Sequence, residues 1–598
     1  MFLRRLVEYS RRLPRDPVLY ASAPMRYHIS LDGQGLCLGL VDTADPSSPQ
    51  TKWGKRQMVP RVKRTSGIKP LLLSDTGEYT FGIPGKDAKP ERVRECWQAY
   101  LAQVKRCAEV TCEPAVEAVY RFLTNDPLAH VHLPTDYDPA ANVTFVVDGH
   151  FVVELPAVQE FWAAENAPGD TVMQCVICGR QLPVLRRLQT PIKGVPGGQP
   201  SGTAIISANS DAFESYGLQE SLIAPTCAAC GESFTRGLND LLSKRENSIV
   251  TGGAALVFWT KEEHTFSLRD WFDTPNPEQV QALIESFRTG KGAPAVDATA
   301  FYAAILSGSG GRTVVRDWID TTVAEVKEHL VGWFAGQSVV GAGGEPPKPL
   351  GIFALAAGTV RDAGKDLAPT TPRALRRAAL TGTPALGKAQ HQVPPIHALW
   401  RAALTGTPVP ASLLWQAVQR NCAEGKVTVQ RAALIKLVLC SGEHDRARRR
   451  TMEDKMTQLD LDNPNPAYRC GRLLAVLEEV QKAALPGINQ TIVDRFYGTA
   501  SSAPASVFGR LLRGAQPHLA KLKRDRPAVY RAVQTRLEDI QAGLSGFPRT
   551  LTLEEQGVFA LGYYHQRAYD RAQAREMAAR KKNGAPADEL ENTTMEEE

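Results

Sequence analysis

The chain has 598 residues, 43% of them apolar, with a formal net charge of +6 and 11 cysteines. That length suits two to four domains whose cores are large enough to need no disulfide staples. The N-terminus, MFLRRLVEYSRRLPRD, carries charges where an export signal needs an apolar run, and no stretch approaches about eighteen uncharged apolar residues, so neither an export signal nor a membrane span is expected and a cytoplasmic location is. In that setting the cysteines read as free thiols or metal ligands.

Charge is distributed unevenly. Residues 1–110 hold 19 Lys and Arg against 11 Asp and Glu, a net of +8 that exceeds the whole-chain value. In chain order, RYHISLDGQGLCLGLVDT (26–43) reads as a hairpin around Asp32-Gly33, and PLLLSDTGEYTFGI (70–83) as a second around Asp75-Thr76-Gly77. The stretch between them, KWGKRQMVPRVKRTSGIKP (52–70), has seven Lys or Arg in nineteen residues and no acid, and is expected as a long connection. Helical patterning follows over 90–125, then strand-like VTFVVDGHFVVE (143–154). AALVFWT (254–260) reads as a buried strand, 276–290 as a helix with a Gly stop, 301–318 as strand, Gly-rich turn and strand, and 320–334 as a helix. GAGGEPPKP (341–349) marks a boundary or exposed loop. After about residue 370 nearly every segment has an apolar stripe at helical spacing. RAALTGTP occurs at 377–384 and 401–408, too few copies for a solenoid and best taken as a shared helix-end solution.

These elements predict an α+β protein. Its parts are a mixed, β-rich N-terminal region (1–170), a metal-knuckle insert (171–245), an α+β continuation (246–365), a C-terminal all-α bundle (366–583) and a disordered acidic tail (584–598).

CVICG and CAACG place Cys175, Cys178, Cys227 and Cys230 in two Cys-x-x-Cys-Gly knuckles. A two-residue spacer lets both thiolates of one turn face a single ion, and four thiolates complete a closed tetrahedral zinc site of the structural kind. An iron–sulfur centre and unpaired buried thiols are the alternatives. The intervening 48 residues exceed the usual spacing, so the insert is expected to fold as a lobe clasped by the metal. The remaining cysteines are scattered and read as small core residues.

No constellation for catalysis stands out. GxSxG, GxxxxGK[ST] and HExxH are absent, Gly308–Gly311 lacks the Lys-Ser/Thr of a phosphate loop, and His565 in GYYHQR sits on a helical, aromatic stretch that favours core packing. A binding protein is therefore expected rather than an enzyme, with a zinc-containing nucleic-acid-processing enzyme or a stand-alone DNA-binding regulator as alternatives.

Seven clustered cations repel one another unless solvated or met by a polyanion that releases its counterions. Trp53 and Met58 add apolar surface and Gln57 and Thr65 neutral hydrogen-bonding groups, a mix suited to duplex DNA; a solvated loop is the plain alternative. Segments 42–82, 191–217 (PIKGVPGGQPSGTAIISANSDAFESYG), 467–484 (AYRCGRLLAVLEEVQKAA), 491–508 (TIVDRFYGTASSAPASVF) and 553–567 (LEEQGVFALGYYHQR) together resemble the large subunit of the type I-C CRISPR Cascade. The resemblance spans almost the whole chain.

It implies a non-catalytic subunit of an RNA-guided complex that recognises the motif flanking a double-stranded DNA target, promotes opening of the duplex and formation of the R-loop, and stabilises the displaced strand. The implied partners are guide RNA, the backbone subunits, the 5′-end endonuclease subunit, the small subunit and a recruited helicase–nuclease. The C-terminal part of such proteins is also made separately from an internal start, for which Met452 and Met456 are visible candidates. Carried to this sequence, Lys52, Lys55, Arg56, Arg61, Lys63, Arg64 and Lys69 become phosphate candidates, with Gln57 and Thr65 as base-edge candidates. The Gly/Ser-rich segment with Lys193, Gln199 and Asn209 is a second DNA candidate, with internal packing the equal alternative. Arg495, Arg510, Arg513, Lys521, Lys523, Arg524 and Arg526, near Phe496 and Tyr497, form a candidate displaced-strand track.

Overall fold

The computed structural model describes the chain apart from residues 15–16, 18, 46, 49–50, 63, 65–66, 86–87, 167–170, 189, 209, 252, 263–267, 290–297, 361–395 and 583–598. The acidic tail, the first RAALTGTP copy, Lys63, Thr65 and Asn209 thus lie outside the described residues. Two compact units emerge: Met1–Ser243 with Gly308–Val314, and Lys244–Ser307 with Val315–Glu598. The first therefore joins the N-terminal region to the cysteine-bearing segment. No helix among the described residues is long and apolar enough to cross a membrane.

The first unit runs α1 (Phe2–Ser10), β1 (Tyr20–Met25), β2 (Tyr27–Leu31), β3 (Cys37–Asp42), β4 (Lys55–Pro60), α2 (Gly77–Thr80), α3 (Pro90–Thr111), α4 (Pro114–Thr124), α5 (Pro127–His130), β5 (Val143–Val147), β6 (His150–Phe151), α6 (Pro156–Glu165), β7 (Val172–Gln174), β8 (Gln181–Pro183) and α7 (Ala228–Ser243). Its main sheet has the order β3-β2-β5-β6. The hairpin expected at 26–43 is present as antiparallel β2–β3. β2 and β5 pair in parallel, which requires a long crossover, and α3 and α4 supply it. Tyr27, Ile29, Leu31 and Phe145 of the sheet are buried in one core with Tyr100 and Val104 of α3. The helical stretch breaks at Cys112, in left-handed backbone (φ +49°), before Pro114 opens α4.

Two expectations fail here. The 70–83 segment is a buried turn followed by α2, not a hairpin. Leu71, Leu72 and Leu73 are buried consecutively, which a half-exposed strand cannot do, and the buried Asp75 carboxylate accepts the N–H groups of Leu71 (2.7 Å) and Thr76 (2.8 Å). Nor is the basic stretch merely a connection. Its residues Lys55–Pro60 form β4, antiparallel to β1 from Met25↔Lys55 to Tyr20↔Pro60. Val59 is buried, so the strand is anchored by its apolar end while its basic end stays exposed.

The second unit opens with β9 (Ser248–Thr251), β10 (Ala254–Thr260), α8 (Arg269–Phe272), α9 (Pro277–Thr289), β11 (Ala300–Ser309), β12 (Arg312–Thr322), α10 (Val323–Gln337) and α11 (Ile352–Ala357). Strand order is β12-β11-β10-β9. The buried strand, the Gly-rich turn between two strands and the following helix all form as expected, and a capping box of Thr322 with Glu325 starts α10. The described remainder is helical: α12 (Ile396–Thr405), α13 (Ala411–Glu424), α14 (Val429–Ser441), α15 (Arg446–Lys455), α16 (Pro466–Ala484), α17 (Ile492–Ser502), α18 (Pro504–Asp525), α19 (Pro527–Ala542) and α20 (Leu553–Lys582). The bundle is built on α16 against α20. A Cβ on Gly471 would stand 2.0 Å from the Phe559 carbonyl oxygen, and one on Gly562 would stand 2.2 Å from that of Tyr468, so the two backbones touch where only glycine fits. His565 is fully buried in this core, as its context suggested.

Candidate metal centre and nucleic-acid interface

The first knuckle is the turn of the β7–β8 hairpin, registered Gln174↔Gln181 to Val172↔Pro183. Cys175 N–H donates to the Arg180 carbonyl (2.9 Å), and Gly179, at φ +73°, donates to that of Cys175 (2.8 Å), closing the tight turn. The second knuckle is the start of α7, where Cys227 and Cys230 share the first turn. Two backbone bonds, Val176 N–H to Pro225 O and Leu185 N–H to Thr226 O, both 2.9 Å, tie the knuckles together.

All four sulfurs lie within 4.8 Å of one another, and Cys178 and Cys227 Sγ are 4.0 Å apart. A tetrahedral tetrathiolate with bonds of about 2.3 Å has sulfurs about 3.8 Å apart, so the donor set fits one such ion. Cys175, Cys227 and Cys230 are buried and Cys178 is intermediate. Burial pushes the Cys227 and Cys230 thiols up, whereas the Arg180 backbone N–H, aided by its side chain, brings Cys178 down to about 6. Without a cation, several thiolates could not coexist in so small a space; a divalent ion removes the conflict. The four cysteines can therefore bind a metal ion.

The basic stretch divides by what each cation already touches. Lys55 and Lys69 are exposed, and Lys52 lies beside the exposed ring of Trp53, with Nζ 5.2 Å from its centroid. Arg56 is exposed but bends back to Ser22, giving Nη2 to its carbonyl (2.6 Å) and Nε to its hydroxyl (3.1 Å). Gln57 is half-buried and its amide nitrogen is held by Glu154 (3.3 Å). Arg61 is half-buried, and Arg64, though exposed, bends back onto the protein. Arg61 donates to the Ser74 carbonyl (3.3 Å) and burial pushes it down to about 10. Arg64 pairs with the buried Asp75, donates to the Lys69 carbonyl (2.7 Å) and lies over the Tyr79 ring.

In the Gly/Ser-rich segment, Lys193 and Gln199 are exposed. Its backbone is bonded to the Gly308–Val314 turn: Gly308 N–H to Pro196 O (2.7 Å), Gln199 N–H to Gly310 O (3.0 Å), Ala204 N–H to Gly311 O (2.8 Å) and Thr313 N–H to Ala204 O (2.9 Å). A Cβ on Gly308 would stand 2.1 Å from Gly198 N. Much of the glycine content thus serves internal packing, and the side chains of Lys193 and Gln199 remain as outward groups. Sequence reasoning missed this partnership; the only signal was two glycine-rich runs far apart in the chain.

In the second unit, Arg510, Arg513, Lys521 and Arg524 fall within about 80° of one another around α18 at about 100° per residue, opposite buried Leu511, Leu519 and Leu522. Arg510 and Arg495 both sit 5.4 Å from the Phe496 ring centroid, so the ring meets two cations. Lys523 stands over Tyr530 (5.8 Å), Arg524 pairs with Asp525 (2.7 Å), and Arg526 reaches the Ala483 carbonyl (3.5 Å). Tyr497 is buried in the bundle and offers no stacking face.

Comparison with curated proteins finds no match. The family model described as "CRISPR-associated protein (Cas_Csd1)" matches residues 6–569, which takes in the knuckles, the basic strand and the α18 face alike. The chain belongs to the Cas_Csd1 family of CRISPR-associated proteins.

Proposed function

We propose that this protein is the non-catalytic large subunit of a type I-C Cascade, which recognises the motif flanking a DNA target, promotes R-loop formation, stabilises the displaced strand and helps recruit the helicase–nuclease. The observation that carries the reading is the family match across residues 6–569. It is supported by the exposed basic end of β4, where Lys55 follows Lys52, and by the exposed Lys69 further along the same stretch; these three lysines are the proposed phosphate contacts. Arg61 and Arg64 are bonded to Ser74, Asp75 and the Lys69 carbonyl, so their proposed role is to hold the loop rather than to meet DNA. Cys175, Cys178, Cys227 and Cys230 hold a structural zinc ion, which supplies cross-linking and no reactive position. Guide RNA and the other Cascade subunits are the proposed partners.

The test is target binding by the assembled complex, comparing Lys52/Lys55/Lys69→Ala with wild type, on targets with and without the flanking motif, over a salt series. Losing three phosphate contacts flattens the log–log salt dependence by about 3 and weakens the flanked target most. Unchanged affinity and slope would reject the assignment. Nanomolar duplex binding by the chain alone would point to a stand-alone regulator instead.

A further inference from the structure

Tyr216 is 98% exposed and sits in left-handed backbone (φ +52°). Tyrosine is poorly suited to that conformation, where Asn or Gly is the usual choice, and full exposure of the ring gains nothing in a free protein. The ring caps a two-residue turn: Ser215 and Leu218 pair, Leu218 N–H donates to Ser215 O (2.9 Å), and Gly217 follows at φ +70°. Positive φ at both central residues is the I′ geometry of a tight two-residue turn, and the ring stands in solvent at its tip.

The finger's base is fixed. Ala208 N–H donates to Glu220 O (3.1 Å), Ser221 N–H to Arg186 O (2.9 Å), and the Glu220 carboxylate takes Arg187 (2.7 Å). The Arg312 guanidinium lies 3.7 Å from the centroid of Phe213, itself 52% exposed. Arg312 belongs to the same turn that carries the Lys193–Gln199 loop, so the finger and that loop share one support.

Two physical limits identify the occupant. One ring on a narrow tip is far smaller than the several hundred Å² of a protein-docking patch. It is large enough for one nucleobase, which needs a single aromatic face. Asp211 and Glu214 flank the finger in sequence and disfavour a phosphate beside it, while the exposed Arg186 and Arg187 pair with Glu220 at its base. Resting on the Cascade reading above, we propose that Tyr216 is a stacking finger that receives one unstacked nucleobase, of target DNA or of guide RNA.

The experiment uses the assembled complex with 2-aminopurine placed in turn at positions in and beside the target flank, or in the guide. In wild type, one probe position is quenched. Tyr216→Ala should abolish that quenching and weaken target binding roughly 5- to 100-fold, while Tyr216→Phe retains both and the salt slope stays unchanged, because stacking releases no counterions. A responsive DNA probe places the base in the target, and a responsive guide probe places it in the RNA; either supports the proposal. If no probe responds, or Tyr216→Ala binds as wild type does, the finger is not a base-stacking site. Impaired assembly by Tyr216→Ala with silent probes would likewise overturn it in favour of a protein contact. A wild-type complex that fails to bind flanked DNA at all would instead reject the Cascade reading itself.

Discussion

Arg64 is paired with Asp75, a fully buried carboxylate that also accepts the N–H groups of Leu71 and Thr76. One basic residue of the 52–70 stretch is therefore part of the fold of its own unit. Its guanidinium also lies 4.4 Å from the Tyr79 ring centroid, so a buried carboxylate and a core ring both meet it.

Removing it leaves a buried charge short of its partner. Arg64→Ala is expected to lower stability by about 2 kcal/mol, less than for a wholly buried pair because the arginine is partly exposed. Denaturant melts of the chain should show the shift as a lower midpoint of the first transition. Weaker DNA binding with an unchanged midpoint would instead place Arg64 among the phosphate contacts. Lys55→Ala, exposed and with no such ties among the described residues, should leave the midpoint within about 0.5 kcal/mol of wild type.

The contrast between these cations explains what could be read from sequence. Charge density announced the 52–70 stretch, but not which side chains turn inward, because that depends on Asp75 and Ser22, partners met only after folding. The metal knuckles were legible since their spacing is local. Strand β4 was not, since its partner residues on β1 lie 30 to 40 positions upstream and the Lys/Arg content masked Val59, its buried anchor. Repeated leucines at 71–73 suggested a strand where the chain buries all three in a turn. The C-terminal helices were plain from periodicity alone, whereas the bonding of the Gly308–Val314 turn to residues 196–204 left no periodic trace.

The four-cysteine cluster predicts one tightly held divalent ion per chain. Elemental analysis of protein purified without added metal should give one equivalent of zinc, and Cys227→Ser should lower it and cost about 2–5 kcal/mol or more of stability. Because thiolates must be deprotonated to bind, affinity should fall as pH drops, and chelation should become easier from pH 8 to pH 5. Full occupancy in the Cys227→Ser protein would show that the metal sits elsewhere.

Glu479 lies beside Asp570 and Arg536 on facing helices, with Arg536 Nη1 at 3.4 Å from Glu479 and 2.5 Å from Asp570. Burial first and the neighbouring Asp570 second push Glu479 up to about 7. The folded chain then binds more protons than the unfolded chain between the ordinary glutamate range, about 4.5, and about 7. This contribution to stability is present below that window and lost as pH rises through it. Glu479→Gln should flatten the fall, read as denaturation midpoints from pH 5 to 8. An unaltered profile in that variant would assign the titration elsewhere.

His565 should titrate with the opposite sign. Asp460 N–H donates to Tyr468 Oη (3.1 Å), which stands 3.0 Å from His565 Nδ1. With the tyrosine donating, Nδ1 must be a lone-pair acceptor, so the ring is neutral and carries its proton on Nε2. That nitrogen is buried with no partner among the described residues, which makes a second proton still less welcome. Burial, reinforced by Lys436, holds the histidine down to about 3. Its unfolded value is about 6.5, so between those limits the unfolded chain binds the extra proton. Stability is complete above about 6.5 and is lost as pH falls toward 3, by at most about 1.4 kcal/mol per pH unit. His565→Asn, which retains an acceptor near Nδ1, should be less stable at pH 7 yet lose less between pH 6 and pH 4. Equal acid sensitivity in the two proteins would mean that the bundle's acid response arises from its carboxylates and not from this ring.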